Sequence, residues 1–171
     1  VCRDGASPSI SLIGANGTAP YTFSYNINGG SDQNITTSVG VNSISIAAPT
    51  GTEGIYNYNL TGVQDASTTT CNQSQTGTSV ITVNPLPTAT ISGTTEVCRN
   101  SGPPNITFTG ANGTAPYTFT YSINGGSNLT VTTTSGNSAT VSVPTAAIGL
   151  FTYTLSGVQD ASSTACLQPQ S

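Results

Sequence analysis

Apolar residues and hydroxyl or amide residues alternate along most of this chain, with a period of two. Tyr21 to Ile27 shows it best: Tyr21, Phe23, Tyr25 and Ile27 point one way and Thr22, Ser24 and Asn26 the other. That alternation predicts a β-strand with one buried face. Ser9 to Ile13 predicts another, with Ile10 and Leu12 inward, and so does Ser43 to Ala47, with Ile44 and Ile46 inward. Ile55 to Val63 places Tyr56, Tyr58 and Leu60 on one face; Asn34 to Val39, Ser79 to Val83 and Thr88 to Ser92 complete the strands that can be read here. Gln64 to Gly77 reads as a polar loop. Asn16-Gly17 and Asn28-Gly29 read as turns, because Asn and Gly tolerate the positive φ that tight hairpins need. No stretch shows a 3.6-residue period, and Gly or Pro interrupts nearly every window, so no helix is expected.

The same pattern occurs twice. Gly14 to Phe23, G-A-N-G-T-A-P-Y-T-F, returns letter for letter as Gly110 to Phe119. Tyr117, Phe119, Tyr121 and Ile123 repeat the inward face, Phe151, Tyr153 and Leu155 match the later strand, and Gly62 to Ser67 returns as Gly157 to Ser162. A period of about 95 residues suits one sandwich domain and is too long for a solenoid coil. The expected fold is therefore all-β: two tandem immunoglobulin-like antiparallel β-sandwiches without a helix. Residues 1–84 form the first repeat, 85–87 a Pro-rich linker (Pro85 and Pro87) and 88–171 the second repeat. The window is out of phase with its domains. The first repeat has no counterpart of Thr88 to Ser92, and the second none of Ser79 to Val83. Either the window belongs to a longer array or neighbouring chains lend the strands.

Composition narrows the function. Charged residues make up 5% of the 171, with two Lys plus Arg, six Asp plus Glu and no His, for a net charge of −4. Both cations are arginines, Arg3 and Arg99, too few for a nucleic-acid footprint. No apolar run is long enough to span a bilayer. Without His or Lys the usual general bases and Schiff-base nucleophiles are missing, so no enzyme activity and no cofactor are expected. The acids Asp4, Asp32, Glu53, Asp65, Glu96 and Asp160 include no close sequence pair. The lack of Lys also removes Lys–Asn isopeptide cross-links. Asp65 and Asp160 alone occupy equivalent positions; they are calcium candidates or, the favoured reading, carboxylates that cap a turn.

Two cysteines per repeat, with no CxxC and no His, point to disulfides and an oxidising compartment rather than zinc. Pairing within each repeat, Cys2 with Cys71 and Cys98 with Cys166, is favoured. The alternative crosses the junction, such as Cys2 with Cys166. Seven Asn-x-Ser/Thr sequons are glycosylation candidates: Asn16, Asn34, Asn59, Asn72, Asn105, Asn112 and Asn128. Threonine rows such as Thr132-Thr133-Thr134 raise an ice- or carbohydrate-binding face, although Thr is also the natural outward residue of a strand.

The assembled frame is V-C-R-N, I-T-F-T-G-A-N-G-T-A-P-Y-T-F-T-Y-S-I-N-G-G, F-T-Y-T-L-S-G-V-Q-D-A-S-S-T-A-C and N-P-L-P-T-A-T-I-S-G. It resembles the tandem immunoglobulin-like or PKD-like repeats of large Bacteroidota surface proteins, including gliding adhesins exported by type IX secretion. That resemblance implies an extracellular structural repeat of a filament, stalk or adhesin on a bacterial surface, without enzyme activity. Its partners would be neighbouring repeats, in cis or by self-assembly, and attached glycans. The alternatives are a fibre subunit polymerised by strand donation and a carbohydrate- or ice-binding surface module.

Overall fold

A computed structural model of the chain describes residues 1–170, with thirteen strands and no helix among them. The chain divides into two compact units, one of Val1 and Arg3–Val83, the other of Cys2 and the chain from Asn84 on. The first contains β1 (Ser9–Ile13), β2 (Thr22–Ile27), β3 (Gln33–Thr36), β4 (Ser43–Ala47), β5 (Gly54–Gln64) and β6 (Asn72–Val83). They form antiparallel sheets in the orders β1-β4 and β3-β2-β5-β6. The second unit contains β7 (Thr88–Ser92), β8 (Asn105–Ala111), β9 (Thr118–Ile123), β10 (Leu129–Thr132), β11 (Ser138–Ser142), β12 (Tyr153–Gln159) and β13 (Leu167–Pro169). Its sheets run β11-β8-β7 and β10-β9-β12-β13, again antiparallel. Each unit is an immunoglobulin-like sandwich, because each sheet has one apolar face that only the other sheet can cover.

The predicted inward residues build the cores. Tyr21, Phe23, Tyr25 and Tyr58 are buried in the first unit, and Tyr117, Phe119, Tyr121 and Leu155 in the second. Asn28 and Gly29, like Asn124 and Gly125, take positive φ and turn β2 and β9 back on themselves.

Four local readings change. Thr37 ends β3 early: its side chain turns inward, its hydroxyl accepts from the Tyr21 N–H at 2.9 Å, and Val39, expected in the strand, is 85% exposed. The polar loop after Gln64 closes by Cys71, because Asn72 to Ser74 pairs with Gln64 to Gly62 and extends β6. A bulge leaves Thr61 without a partner on β2; Ser156 is its counterpart on β12. After the extra residue Gly157 and Val158 are both buried, and Val158, completely enclosed, lies opposite Phe119. At Asn16-Gly17 only Asn16 has positive φ; Gly17 is required for another reason, given below.

Candidate functional site

The repeated decapeptide is a packing device built around one tyrosine. A Cβ on Gly14 would stand 2.5 Å from the Tyr21 ring, and one on Gly110 2.6 Å from Tyr117. The tyrosine hydroxyl reaches forward to the turn: the Gly17 N–H donates to Tyr21 Oη at 2.9 Å, and Gly113 repeats this with Tyr117 at 3.1 Å. Gly17 and Gly113 lie against Asp65 and Asp160, where an added Cβ would come within 2.9 and 2.8 Å of the aspartate Cβ.

Each aspartate ties that turn to the cysteine loop. Asp65 accepts from the Thr18 N–H at 3.1 Å, the Ser67 hydroxyl at 2.8 Å and the Cys71 N–H at 2.9 Å. Asp160 accepts from Thr114, Ser162 and Cys166 in the same way, at 3.1, 2.8 and 2.8 Å, and is 4% exposed. Both carboxylate oxygens of each residue are thus occupied by N–H or O–H donors, which is the geometry of a loop cap. Among the described residues no group of three or more His, Cys, Asp or Glu side chains comes together.

The Ser67 hydroxyl, then the Thr18 and Cys71 N–H groups, hold the Asp65 carboxyl below the usual carboxylate range. A depressed carboxyl stabilises the fold above its unfolded pKa and loses that contribution as pH falls through the lower folded value. The expected result is that the Thr18 and Cys71 amide resonances titrate together with a midpoint below the ordinary Asp value of about 3.9. A midpoint at or above that value would mean that the loop does not hold the carboxylate.

The cysteines pair differently from the favoured expectation. Cys2 is bonded to Cys166, and Cys71 and Cys98 carry free, exposed thiols, so neither Cys2–Cys71 nor Cys98–Cys166 forms. The reason is local. A parallel bridge holds Cys2 to Asn84, and the Asn84 amide donates to Thr164 at 2.9 Å; Thr164 in turn lies 3.4 Å from both sulfurs. These contacts place Cys2 in the second unit, beside the loop that carries Cys166.

The second unit also has an open apolar groove of about 710 Å³, lined in part by Ile91, Ile106, Val143, Phe151 and Tyr153. Ile148 and Leu150 on its rim are 82% and 85% exposed. It lies beside the start of β12. There Tyr153 to Leu155 pair with β9 on one side, while β13 reaches only Gly157 to Gln159 on the other. In the first unit the matching stretch, Tyr58 to Leu60, is paired on both sides, and β6 packs Ile81 against the core that holds Tyr58 and buries Val83.

Six sequon asparagines are exposed: Asn16, Asn34, Asn72, Asn105, Asn112 and Asn128. Asn59 is half-buried, and its amide nitrogen donates to Asn26 at 3.0 Å within a polar network that also holds Thr78. The threonine row does not form a flat ladder, since Thr133 is buried against Tyr117 and Thr132 bonds Thr118 across the sheet. No helix among the described residues is long and apolar enough to cross a membrane.

Neither a known family nor a curated protein matches this chain in sequence. A solved structure described as a Ca2+-stabilised adhesin that helps an Antarctic bacterium reach out and bind ice is similar at 17% identity, with a TM-score of 0.46. The match covers 96% of this chain, which spans 42% of that one.

Proposed function

We propose that this chain is a structural module, two tandem sandwiches of an extracellular filament, stalk or adhesin on a bacterial surface. The observation that carries the reading is that both units spend the same groups on the same internal contacts. The tyrosine hydroxyl, the aspartate carboxylate and the hydroxyls beside the cysteine all hold the turn and the cysteine loop. Groups used this way serve rigidity, not turnover, and on this reading the chain is not an enzyme and needs no cofactor. The disulfide supports an oxidising, extracellular setting. The resemblance to Bacteroidota surface repeats supports the bacterial surface and type IX export. Neighbouring repeats would be its partners, and glycans on the exposed sequons would help keep an almost uncharged surface soluble. The test is antibody labelling of intact, unpermeabilised source cells, together with the denatured, reduced mass of the labelled polypeptide. Surface label on a chain of hundreds of kilodaltons supports a stalk; label that appears only after permeabilisation sinks the reading.

A second reading, completion by a lent strand, is favoured by the apolar groove and the half-paired β12. The occupant that fits is an extended segment of β-branched apolar residues mixed with Ser and Thr, as Thr78 to Val83 is where it pairs with β5. A peptide of the sequence Gly77 to Asn84 is expected to raise the thermal midpoint of the chain and to slow amide exchange at Tyr153 and Leu155. The same peptide with Ile81→Asp is expected to do neither. Equal effects from both peptides would mean that the groove does not read the strand.

A further inference from the structure

We infer that the four Asn-Gly turns of this chain are deamidation sites held shut by the fold, and that the Tyr21 and Tyr117 hydroxyls shut two of them by occupying the attacking nitrogen. The turns are Asn16-Gly17, Asn28-Gly29, Asn112-Gly113 and Asn124-Gly125. Asparagine before glycine is the pair most prone to deamidation, because glycine has no side chain to hinder ring closure. The glycine nitrogen loses its proton and bonds to the asparagine Cγ. The Cγ–Nδ2 bond breaks and the nitrogen leaves as ammonia. Water then opens the cyclic imide at either carbonyl, leaving aspartate or isoaspartate. In sum, one side-chain amide and one water become one carboxylate and one ammonium ion, so no oxidant or reductant is needed.

All four asparagines are exposed, so burial does not protect them. Hydrogen bonds do, and they fall on a different reactant in each kind of turn. In the decapeptide turns they hold the nucleophile. The Gly17 and Gly113 N–H groups donate to Tyr21 Oη and Tyr117 Oη at 2.9 and 3.1 Å, and both rings are buried. Hydroxide cannot take that proton while the bond stands. Tyr117 Oη also donates to the Gly113 carbonyl at 2.7 Å, which fixes the peptide on its other side. In the hairpin turns they hold the electrophile. Asn28 Oδ1 accepts from the Asn57 N–H at 2.8 Å, and its Nδ2 donates to the Ile55 carbonyl at 3.2 Å. Asn124 repeats this with Thr152 and Leu150, at 2.7 and 3.2 Å. An amide tied to another segment at both atoms cannot swing onto its own backbone. Backbone geometry adds to both locks. The four asparagines have φ of 61, 54, 60 and 50°, in the left-handed region. There ψ is about +30 to +60°, which turns the glycine nitrogen away from the asparagine Cβ, whereas ring closure needs the two side by side. Each turn must therefore open before it reacts. A reacted turn records that opening for good. It adds a negative charge to a chain of net charge −4, and isoaspartate adds a methylene to the backbone of the turn.

The inference does not depend on the proposed structural role: it is read on the isolated chain, and the role on intact cells. The test uses the full chain produced without glycosylation, since Asn16 and Asn112 are also sequons. The chain is held at neutral pH, folded or in guanidinium chloride, and peptide mapping by mass spectrometry follows deamidation at each asparagine. All four sites are expected to convert in denaturant and to convert at least about tenfold more slowly in the folded chain, where reaction waits on local opening. Tyr117→Phe removes the oxygen that holds the Gly113 N–H. In that folded variant Asn112 is expected to convert at least about threefold faster than in the parent chain, with Asn16, Asn28 and Asn124 unchanged. Asn124 lies in the same unit as Asn112, so it reports general loosening. Tyr21→Phe, read at Asn16 against Asn28, makes the same comparison in the first unit if Tyr117→Phe does not fold. Equal rates in the folded and denatured chain would overturn the inference for all four turns. An Asn112 rate unmoved by Tyr117→Phe, or an Asn124 rate raised as much as that of Asn112, would overturn the role given to the hydroxyl.

Discussion

Gly110→Ala is expected to destabilise the second unit by about 3 kcal/mol, the upper end of what inserting one methyl into a packed site costs. The added Cβ would lie 2.6 Å from the Tyr117 ring, a distance that Cβ atoms do not tolerate, so glycine or ring must move. The ring has nowhere to go. It is buried, its hydroxyl donates to the Gly113 carbonyl at 2.7 Å, and its own N–H donates to Thr133 at 3.0 Å. Moving it would break the turn that delivers Thr114 to Asp160, and with it the loop that carries Cys166. For a unit of this size the thermal midpoint is expected to fall by roughly 12–24 °C, at about 4–8 °C per kcal/mol. Two controls separate this clash from ordinary glycine effects. Gly77→Ala meets nothing within 4 Å, has no positive φ, and is expected to be nearly neutral. Gly125→Ala also meets nothing but sits at φ +69°, so it carries only the left-handed penalty of about 1–2 kcal/mol. Calorimetry on the three variants ranks them. If Gly110→Ala unfolds as late as Gly77→Ala, the glycine–tyrosine contact is not what the repeated decapeptide is for.

The duplication itself made much of this legible. Strands with strict alternation, such as β1, β2 and β4, were readable because a half-buried sheet face imposes a period of two. The Asn28-Gly29 hairpin was readable because its positive φ values restrict the residue types. What escaped had no periodic signature. The bulge at Thr61 and Ser156 is a one-residue insertion that shifts the register, and no alternation of residue types marks it. The extension of β6 back to Asn72 consists of polar residues on an exposed strand, which look like loop until a partner is known.

The cysteines show a sharper limit. Equivalence between repeats tells which cysteines are alike and leaves open which are bonded, because pairing depends on what lies beside each loop. Here the neighbour of the Cys166 loop is Asn84, from the segment before β7, and Asn84 carries Cys2 with it. Sequence placed Asp65 and Asp160 in equivalent positions but could not show that each receives three donors. The signal that could have found it was the recurrence of Ser67 and Cys71 at fixed offsets from the aspartate, where a capped loop needs its donors.

Phe119→Ala is expected to cost the second unit about 3–5 kcal/mol, the range for emptying a fully buried phenylalanine site. Phe119 is completely enclosed, with its ring 5.7 Å from Phe108 and 6.3 Å from Tyr117, and it lies opposite the bulge-directed Val158. The void could collapse only if those rings moved. Phe108 is itself fully buried, and Tyr117 is held at its hydroxyl and its backbone N–H. A domain of this size has about 0.05–0.15 kcal/mol of stability per residue, so the loss takes roughly a quarter or more of what the unit has. The first unit supplies the contrast. It has Leu12 where the second has Phe108, so Phe108→Leu imitates a packing this fold already accepts, and its cost is expected to stay near 1.5 kcal/mol. Urea unfolding of the two variants should therefore separate them by at least about 1.5 kcal/mol at equal slope. Equal midpoints would mean that the aromatic column is not the centre of the second core, and that β9 is held chiefly by its ladders to β10 and β12.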